Sequence, residues 1–599
     1  MLTAPLKQTP EYKRLLAGMA GAKPAVVALF GMPPTARAQM LAALCEDTGR
    51  SALVVCAGEA DATRFAEDAA VFGRRAEVFP ARDYVLRPVE GQSHEYEYRR
   101  LAVLGNLVGG RTSVACAPVE AVLQYTTPKQ EFCGNTLTVK QGMAISMDVL
   151  IERLFGAGYL RRFQVDGPGQ FSVRGGIVDI YAPDMQKPHR LEFWGDEVDS
   201  IHSFDLVSQR REGAVKKIYL SPAREVLFGD TEAAARLLRT ALSKAKPAYA
   251  EALADAMDGD LKALDAGTMP AAMDKYLALR YEKPATIFEY FDAPIVFLNE
   301  PSAVREAAKG VEFRFGEAFK GLLEEGVLAP GLDRFYEDTA YLLHETEKRH
   351  AVVCENFART IPDLKLADTV NAQPHSLPPW GGEVSALADD LRPLTAQKYA
   401  VAVLAGTQRA AAALARDLAA AGFSAQAYHK EPPSLAPGSV GVFEGHLNAG
   451  ADYPFAKFAV FTSRRAAEGQ GKEQGPFQPV GHHARRLCGA PEPRHWGICG
   501  HPEAGPAGRG EGLHQNQLRQ SGHAVCARYP TGPYQPLYSS RRRRARQALE
   551  AGRRRVEQNQ KPRAQGHAGD GKRADRFVCP APAGPGLCVP RGQRVAAGF

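Results

Sequence analysis

The chain of 599 residues contains no apolar run of the roughly 20 residues that cross a bilayer, so no membrane role is expected. Residues 1–20 lack the apolar centre of a secretory leader, which argues against export. The 10 cysteines include no C-x-x-C pair and fall evenly on either side of residue 465, which excludes a disulfide scaffold and suits a reducing cytoplasm. Shortage is most severe after residue 465. That stretch holds no methionine, a single isoleucine, and 16 Leu, Ile, Val, Met and Phe in 134 residues. So few apolar side chains cannot offset a backbone ordering cost of roughly 1–2 kcal/mol per residue, so a disordered basic tail is expected over 464–599. Acidic residues are scarce there too. Residues 466–599 carry 22 Lys and Arg against 9 Asp and Glu, whereas residues 1–465 carry 52 against 58. The overall charge of +7 therefore averages two dissimilar parts.

The first part is patterned like a folded protein. Apolar runs at 26–30, 53–56 and 113–116 alternate with helical stretches at 34–45, 61–72 and 94–107, the signature of an α/β domain with a mostly parallel sheet, over 1–145. From 146 to 225 the runs 171–174, 176–181 and 190–194, separated by Gly and Pro turns, predict a small β-rich insert. Residues 226–345 return to helices and an apolar strand at 295–298. A polar stretch reads as a linker over 346–379, and residues 380–463 predict a small α/β domain.

Five motifs invite a chemical reading. Gly31 follows an apolar strand and opens a helix, where a phosphate loop would sit. It lacks the second Gly, the Lys and the hydroxyl, and two prolines remove N–H donors, so Gly31 and Arg37 are expected to mark a structural turn that binds no nucleotide. Gly566-x-x-x-x-Gly571-Lys572 follows no strand and has Arg573 where a hydroxyl is needed. Cys488, His495, Cys499 and His501 fit no zinc spacing, so no metal is expected. The arginine runs 541–544 and 553–555 would attract any polyanion without specificity. Within 159–210, Arg174 and the Arg190-x-Glu192 pair on β-rich segments, with Arg161 and Arg162 upstream, suit either a recognition surface for carboxylates or a solvated strand face with an internal Arg190–Glu192 pair. Chemistry alone leaves these two open.

The string Gln170-Phe171-Ser172-Val173-Arg174-Gly175-Gly176-Ile177-Val178-Asp179-Ile180, with Arg190-Leu191-Glu192-Phe193-Trp194-Gly195-Asp196-Glu197-Val198 and the 204–210 segment after it, resembles the transcription-repair coupling factors and, more distantly, the nucleotide-excision-repair protein UvrB. Upstream, Phe79-Pro80-x-x-Asp83-Tyr84 and Arg99-Arg100-Leu101-Ala102-Val103-Leu104 leave no room for UvrB's long aromatic hairpin. The resemblance covers residues 1 to about 463. It implies a degenerate RecA-like (P-loop-NTPase-like) domain split by the β-rich insert. It further implies that the insert docks on UvrA through Arg174, Arg190 and Glu192, with Arg162 less firmly aligned. Replacing Arg174, Arg190 and Glu192 together by alanine is then expected to abolish docking and leave the fold intact. In that family, RNA polymerase and double-stranded DNA are engaged by a barrel and an ATP- and magnesium-dependent motor. Neither is expected here, so this chain is read as a binding module without catalytic residues or cofactor. Codons permitted by residues 495–503 and 524–532, shifted by one base, allow strings resembling that barrel, so a frameshift near 463–480 is the expectation for the tail. The rival readings are an active ATP-dependent helicase and a UvrB-like damage-binding protein.

Overall fold

The computed structural model describes residues 2–88, 93–429 and 434–463. The tail, the Gly566 loop, the Cys488–His501 set, the arginine runs and the frameshift all lie outside the described residues.

The chain first lays down β1 (Val26–Phe30), β2 (Ala52–Cys56), β3 (Ala76–Val78) and β4 (Val114–Pro118), with helices between them. It leaves this body to build β5 (Leu137–Lys140), β6 (Leu160–Arg161), β7 (Gln170–Arg174), β8 (Ile177–Tyr181), β9 (His189–Trp194), β10 (Glu197–Phe204), β11 (Arg211–Ala214) and β12 (Lys217–Leu220). It then returns as β13 (Ile295–Asn299), β14 (His350–Glu355) and β15 (Leu366–Asn371). These outer legs interleave into one parallel sheet of order β15-β1-β14-β13-β2-β4-β3. β1 and β2 are apolar at every position, and β13 and β14 are apolar except at their ends (Asn299, His350 and Glu355), because helices cover both faces. Val27, Leu29, Val54, Phe297 and Val352 meet the helices Pro10–Ala20, Pro34–Thr48 and Glu59–Val71. Val26, Ala28, Val55, Val296 and Leu298 meet Glu95–Val108 and Pro301–Glu324.

Residues 346–379, expected as a linker, instead supply β14 to the middle of this sheet, β15 to its edge, and β16 (His375–Leu377). β15 is the edge strand, with β1 as its one neighbour in the sheet among the described residues and most of its side chains exposed, and Arg14 hydrogen-bonds Asp368 and Thr369 O from outside, so it lacks the apolar run of an inner strand.

The insert begins at Leu137, nine residues before the expected 146, because β5 closes on β12 as a two-stranded ribbon at its root. Its main sheet runs β11-β10-β9-β8-β7-β6. Phe171, Val178, Ile180, Leu191 and Ile201 face inward onto Leu150 and Leu154 of the helix Met147–Gly156. The other face of the sheet is left for polar side chains.

The last leg adds β17 (Ala400–Leu404), β18 (Ala425–Tyr428), β19 (Val440–Phe443), β20 (Gly450–Tyr453) and β21 (Phe458–Thr462), in a sheet of order β16-β20-β21-β17-β19-β18. It packs on the first body. Asp68 accepts from the backbone N–H of Asn448 at 2.9 Å, from its Nδ2 at 3.0 Å and from Thr35 Oγ1 at 3.1 Å, and Tyr453 donates to Gln39. Helix Pro34–Thr48 is consequently buried from Thr35 to Cys45 and shows no polar stripe, as expected for a helix enclosed all round.

Candidate docking site on the inserted sheet

The turn after β1 is closed from several sides. Gly31 sits at φ +79°, and a Cβ there would stand 2.4 Å from the carbonyl oxygen of Ala372. Pro33 and Pro34 follow without N–H donors. Arg37 is buried and lies across the carboxyl ends of β1, β13 and β14, where open α/β sheets bind their ligands. Its Nε donates to Met32 O at 2.8 Å, Nη1 to Asn299 Oδ1 at 2.6 Å, and Nη2 to Asn356 Oδ1 at 2.8 Å and to Glu300. A guanidinium so engaged has little left to offer a phosphate. Gly31→Ala is expected to destabilise the protein by at least about 1–3 kcal/mol, the scale of a left-handed backbone forced on a non-glycine residue, read as a fall in thermal midpoint.

At the root of the insert a buried ion cluster joins insert and body. Glu225, just past β12, accepts from Arg100 Nε at 2.6 Å and Nη2 at 3.2 Å. Arg82 lies 3.1 Å from Glu97, 3.7 Å from Glu225 and 3.4 Å from Asp274. Burial pushes the Glu97 carboxyl up, but Arg82, the His94 hydrogen bond and Arg224 together hold it well below the usual carboxylate range. Burial also raises Asp274, against the pull of Arg82. Arg100 further stacks over Phe79 at 4.1 Å. The arginines and aromatics of the 79–104 string therefore fasten the insert to the body.

On the outer face of the insert, strand alternation aligns Arg190, Glu192 and Trp194 on β9. Asp179 on β8 stands directly opposite Arg190 in register. It accepts from Arg190 Nε at 2.7 Å and Nη2 at 2.9 Å, and from Arg174 Nη2 on β7 at 2.6 Å. Those bonds hold the Arg190 guanidinium above its ordinary value, with burial opposing. The internal Arg190–Glu192 pair is not formed. Residues two apart on a strand are separated by roughly 6.5 Å, whereas cross-strand partners are about 5 Å apart. Glu192 pairs instead with Arg211 and accepts from Ser200 Oγ at 2.9 Å.

The structure thus joins Arg174 and Arg190 through Asp179 and sets Glu192 beside them. Arg162 is not tied to this group. It lies one residue past β6, donates its backbone N–H to Phe171 O at 2.8 Å, and its exposed side chain makes no ion pair among the described residues. The arginines also differ in accessibility, the Arg174 side chain being 44% exposed and that of Arg190 13%. Sequence reasoning missed Asp179, Arg211 and Trp194. The signals were a carboxylate inside the apolar run 177–181, and a tryptophan four residues after Arg190, which the structure leaves 81% exposed at a hairpin tip.

Residues 137–226 match the family model described as the UvrB interaction domain. The chain is 26% identical over 480 residues to the transcription-repair-coupling factor of Bacillus subtilis (strain 168), covering 78% of this chain and 40% of that protein. It is 24% identical over 456 residues to that of Staphylococcus aureus (strain Mu50), covering 74% and 38%, and 23% identical over 461 residues to that of Staphylococcus epidermidis, covering 75% and 39%. The chain spans about two fifths of the length of these curated relatives. The inserted segment from Leu137 thus matches the UvrB interaction domain, within a sequence similar to the transcription-repair-coupling factors along about three quarters of its length.

Proposed function

We propose that this chain serves transcription-coupled nucleotide-excision repair as a docking module, with the outer face of the inserted sheet binding UvrA. The observation that carries the reading is the Arg174–Asp179–Arg190 group on the outer face of the segment matching the UvrB interaction domain. Asp179, buried beneath the face, fixes both guanidinium groups, while Arg174 keeps N–H groups exposed for a partner's carboxylate. Charge-assisted contacts of that kind contribute roughly 1.5–3 kcal/mol each. Glu192 supplies the opposite sign beside them and Trp194 an apolar contact, a combination that selects register as well as affinity.

The seven-stranded sheet is read as a RecA-like fold whose phosphate loop has closed over Arg37. On this reading, recognition of RNA polymerase, movement on double-stranded DNA and the use of ATP with magnesium belong to parts of a coupling factor outside residues 1–463. Residues 1–463 are the recruiting end of that machine in a cytoplasmic setting. The rival reading, an active helicase using the Gly31 loop, requires Arg37 to surrender four hydrogen bonds and Pro33 and Pro34 to supply donors they lack. Equilibrium titration with a fluorescent ATP analogue and magnesium separates the two. No saturation is expected up to millimolar nucleotide, and saturable micromolar binding would contradict the closed loop.

A further inference from the structure

Next to the Arg174–Asp179–Arg190 group, two loops each present one large apolar side chain to solvent. Phe163 is 90% exposed and Val207 91%. Single exposed apolar residues are ordinary, but these two stand on loops that are tied together and held rigid. Gln209 Nε2 donates to Leu206 O at 2.7 Å in its own loop and to Val165 O at 3.5 Å in the other. The 205–210 turn is closed by Gln209 N to Asp205 O at 2.8 Å and Asp205 N to Arg210 O at 3.0 Å. Ser208 donates its N–H and its hydroxyl to Asp205 Oδ1, each at 2.7 Å, which lowers the carboxyl below its ordinary value. The other loop is anchored by Val165, fully buried, and by Asp166 N to Gln170 Oε1 at 3.0 Å. Gln209 takes a left-handed conformation at φ +59°, and its carbonyl accepts from Arg190 Nη1 at 3.4 Å, which joins this pair of loops to the charged group. Arg161, Arg162 and Arg210, all exposed, make no ion pair among the described residues.

We infer that Phe163 and Val207 are apolar anchors of the docking face, extending it from the sheet onto these two loops, and that the matching site on UvrA is an apolar recess rimmed by carboxylates. This rests on the reading of UvrA as partner. Continuity through Arg190 and Gln209 places the anchors beside the charged group. The free arginines around them call for acidic groups on the partner. Rigid loops order little on binding, so buried apolar area there translates efficiently into affinity.

The test is titration of purified UvrA with the full chain and with Phe163→Ser/Val207→Ser, at 50 and 300 mM salt. The double variant is expected to bind at least tenfold more weakly at both salt concentrations, with an unchanged melting temperature because both side chains already face water. Arg174→Ala, by contrast, should lose most of its effect at the higher salt. Tight binding by the double variant would overturn the inference while leaving UvrA as partner. Loss of binding accompanied by a lowered melting temperature would overturn it too, by assigning the two residues to the fold. Absence of any binding by the unaltered chain would instead overturn the reading on which it rests.

Discussion

Replacing Asp179 by alanine is expected to destabilise the inserted sheet by on the order of 3 kcal/mol. The carboxylate is almost wholly buried and has two guanidinium groups on it. Removing one partner of a buried ion pair leaves an uncompensated charge, costing roughly 3–5 kcal/mol, and here the half-exposed Arg174 tempers it. The orphaned cation is Arg190, which is mostly covered and rests over Phe204 at 4.8 Å. Amide hydrogen exchange across β7, β8 and β9 should accelerate in the full chain, and UvrA binding should fall with it. Arg174→Ala should behave oppositely, weakening UvrA binding about tenfold or more with exchange in these strands unchanged. The difference follows from burial. Arg190 still neutralises Asp179 when Arg174 is gone. Taking away Arg174, Arg190 and Glu192 together strips Asp179 of both cations and Arg211 of its carboxylate. The triple replacement expected from sequence to spare the fold would therefore damage it.

The second large effect belongs to Glu225. This carboxylate is buried at the point where the chain returns from the insert, bound to the fully buried Arg100 and close to Arg82. Glu225→Ala leaves Arg100 with only the carbonyls of Pro80 and Tyr125 and the amide oxygen of Gln124 as acceptors. A loss of about 3–5 kcal/mol is expected, measured by urea denaturation of the full chain. Glu225→Gln should recover part of it, since an amide oxygen can still accept one of the arginine hydrogen bonds. If both variants denature like the parent, the cluster does not hold the insert to the body.

The large sheet was legible because its inner strands are covered on both faces, so 26–30, 53–56 and 295–298 are continuous apolar runs whose sequence and environment agree. β15 was not legible, being an edge strand whose polar residues satisfy solvent and resemble a linker. The start of the insert was missed because β5 and β12 are four residues each and pair across 77 positions of sequence (Lys140 with Lys217) to 83 (Leu137 with Leu220), a relation no local pattern records. At the docking face, the arginines were visible as residue types with the right chemistry. Their partners were not. Asp179 lies inside an apolar run, and only the antiparallel register of β8 against β9 brings it opposite Arg190. That register gives Arg190 to Asp179, and Glu192 goes to Arg211 on β11, so the pair that spacing along one strand had suggested does not form. Exposure was equally hidden, since nothing local distinguishes the half-open Arg174 from the covered Arg190 or announces the exposed Trp194.

The most direct measurement is the equilibrium dissociation constant of UvrA for the full chain and for Arg174→Ala, determined side by side at 50 mM salt. Saturable one-to-one binding by the parent, weakened at least tenfold by the substitution while the melting temperature holds, is the predicted result. Absence of binding by the parent, or equal binding by both proteins, would contradict the assignment of the outer face of the inserted sheet as the UvrA docking site.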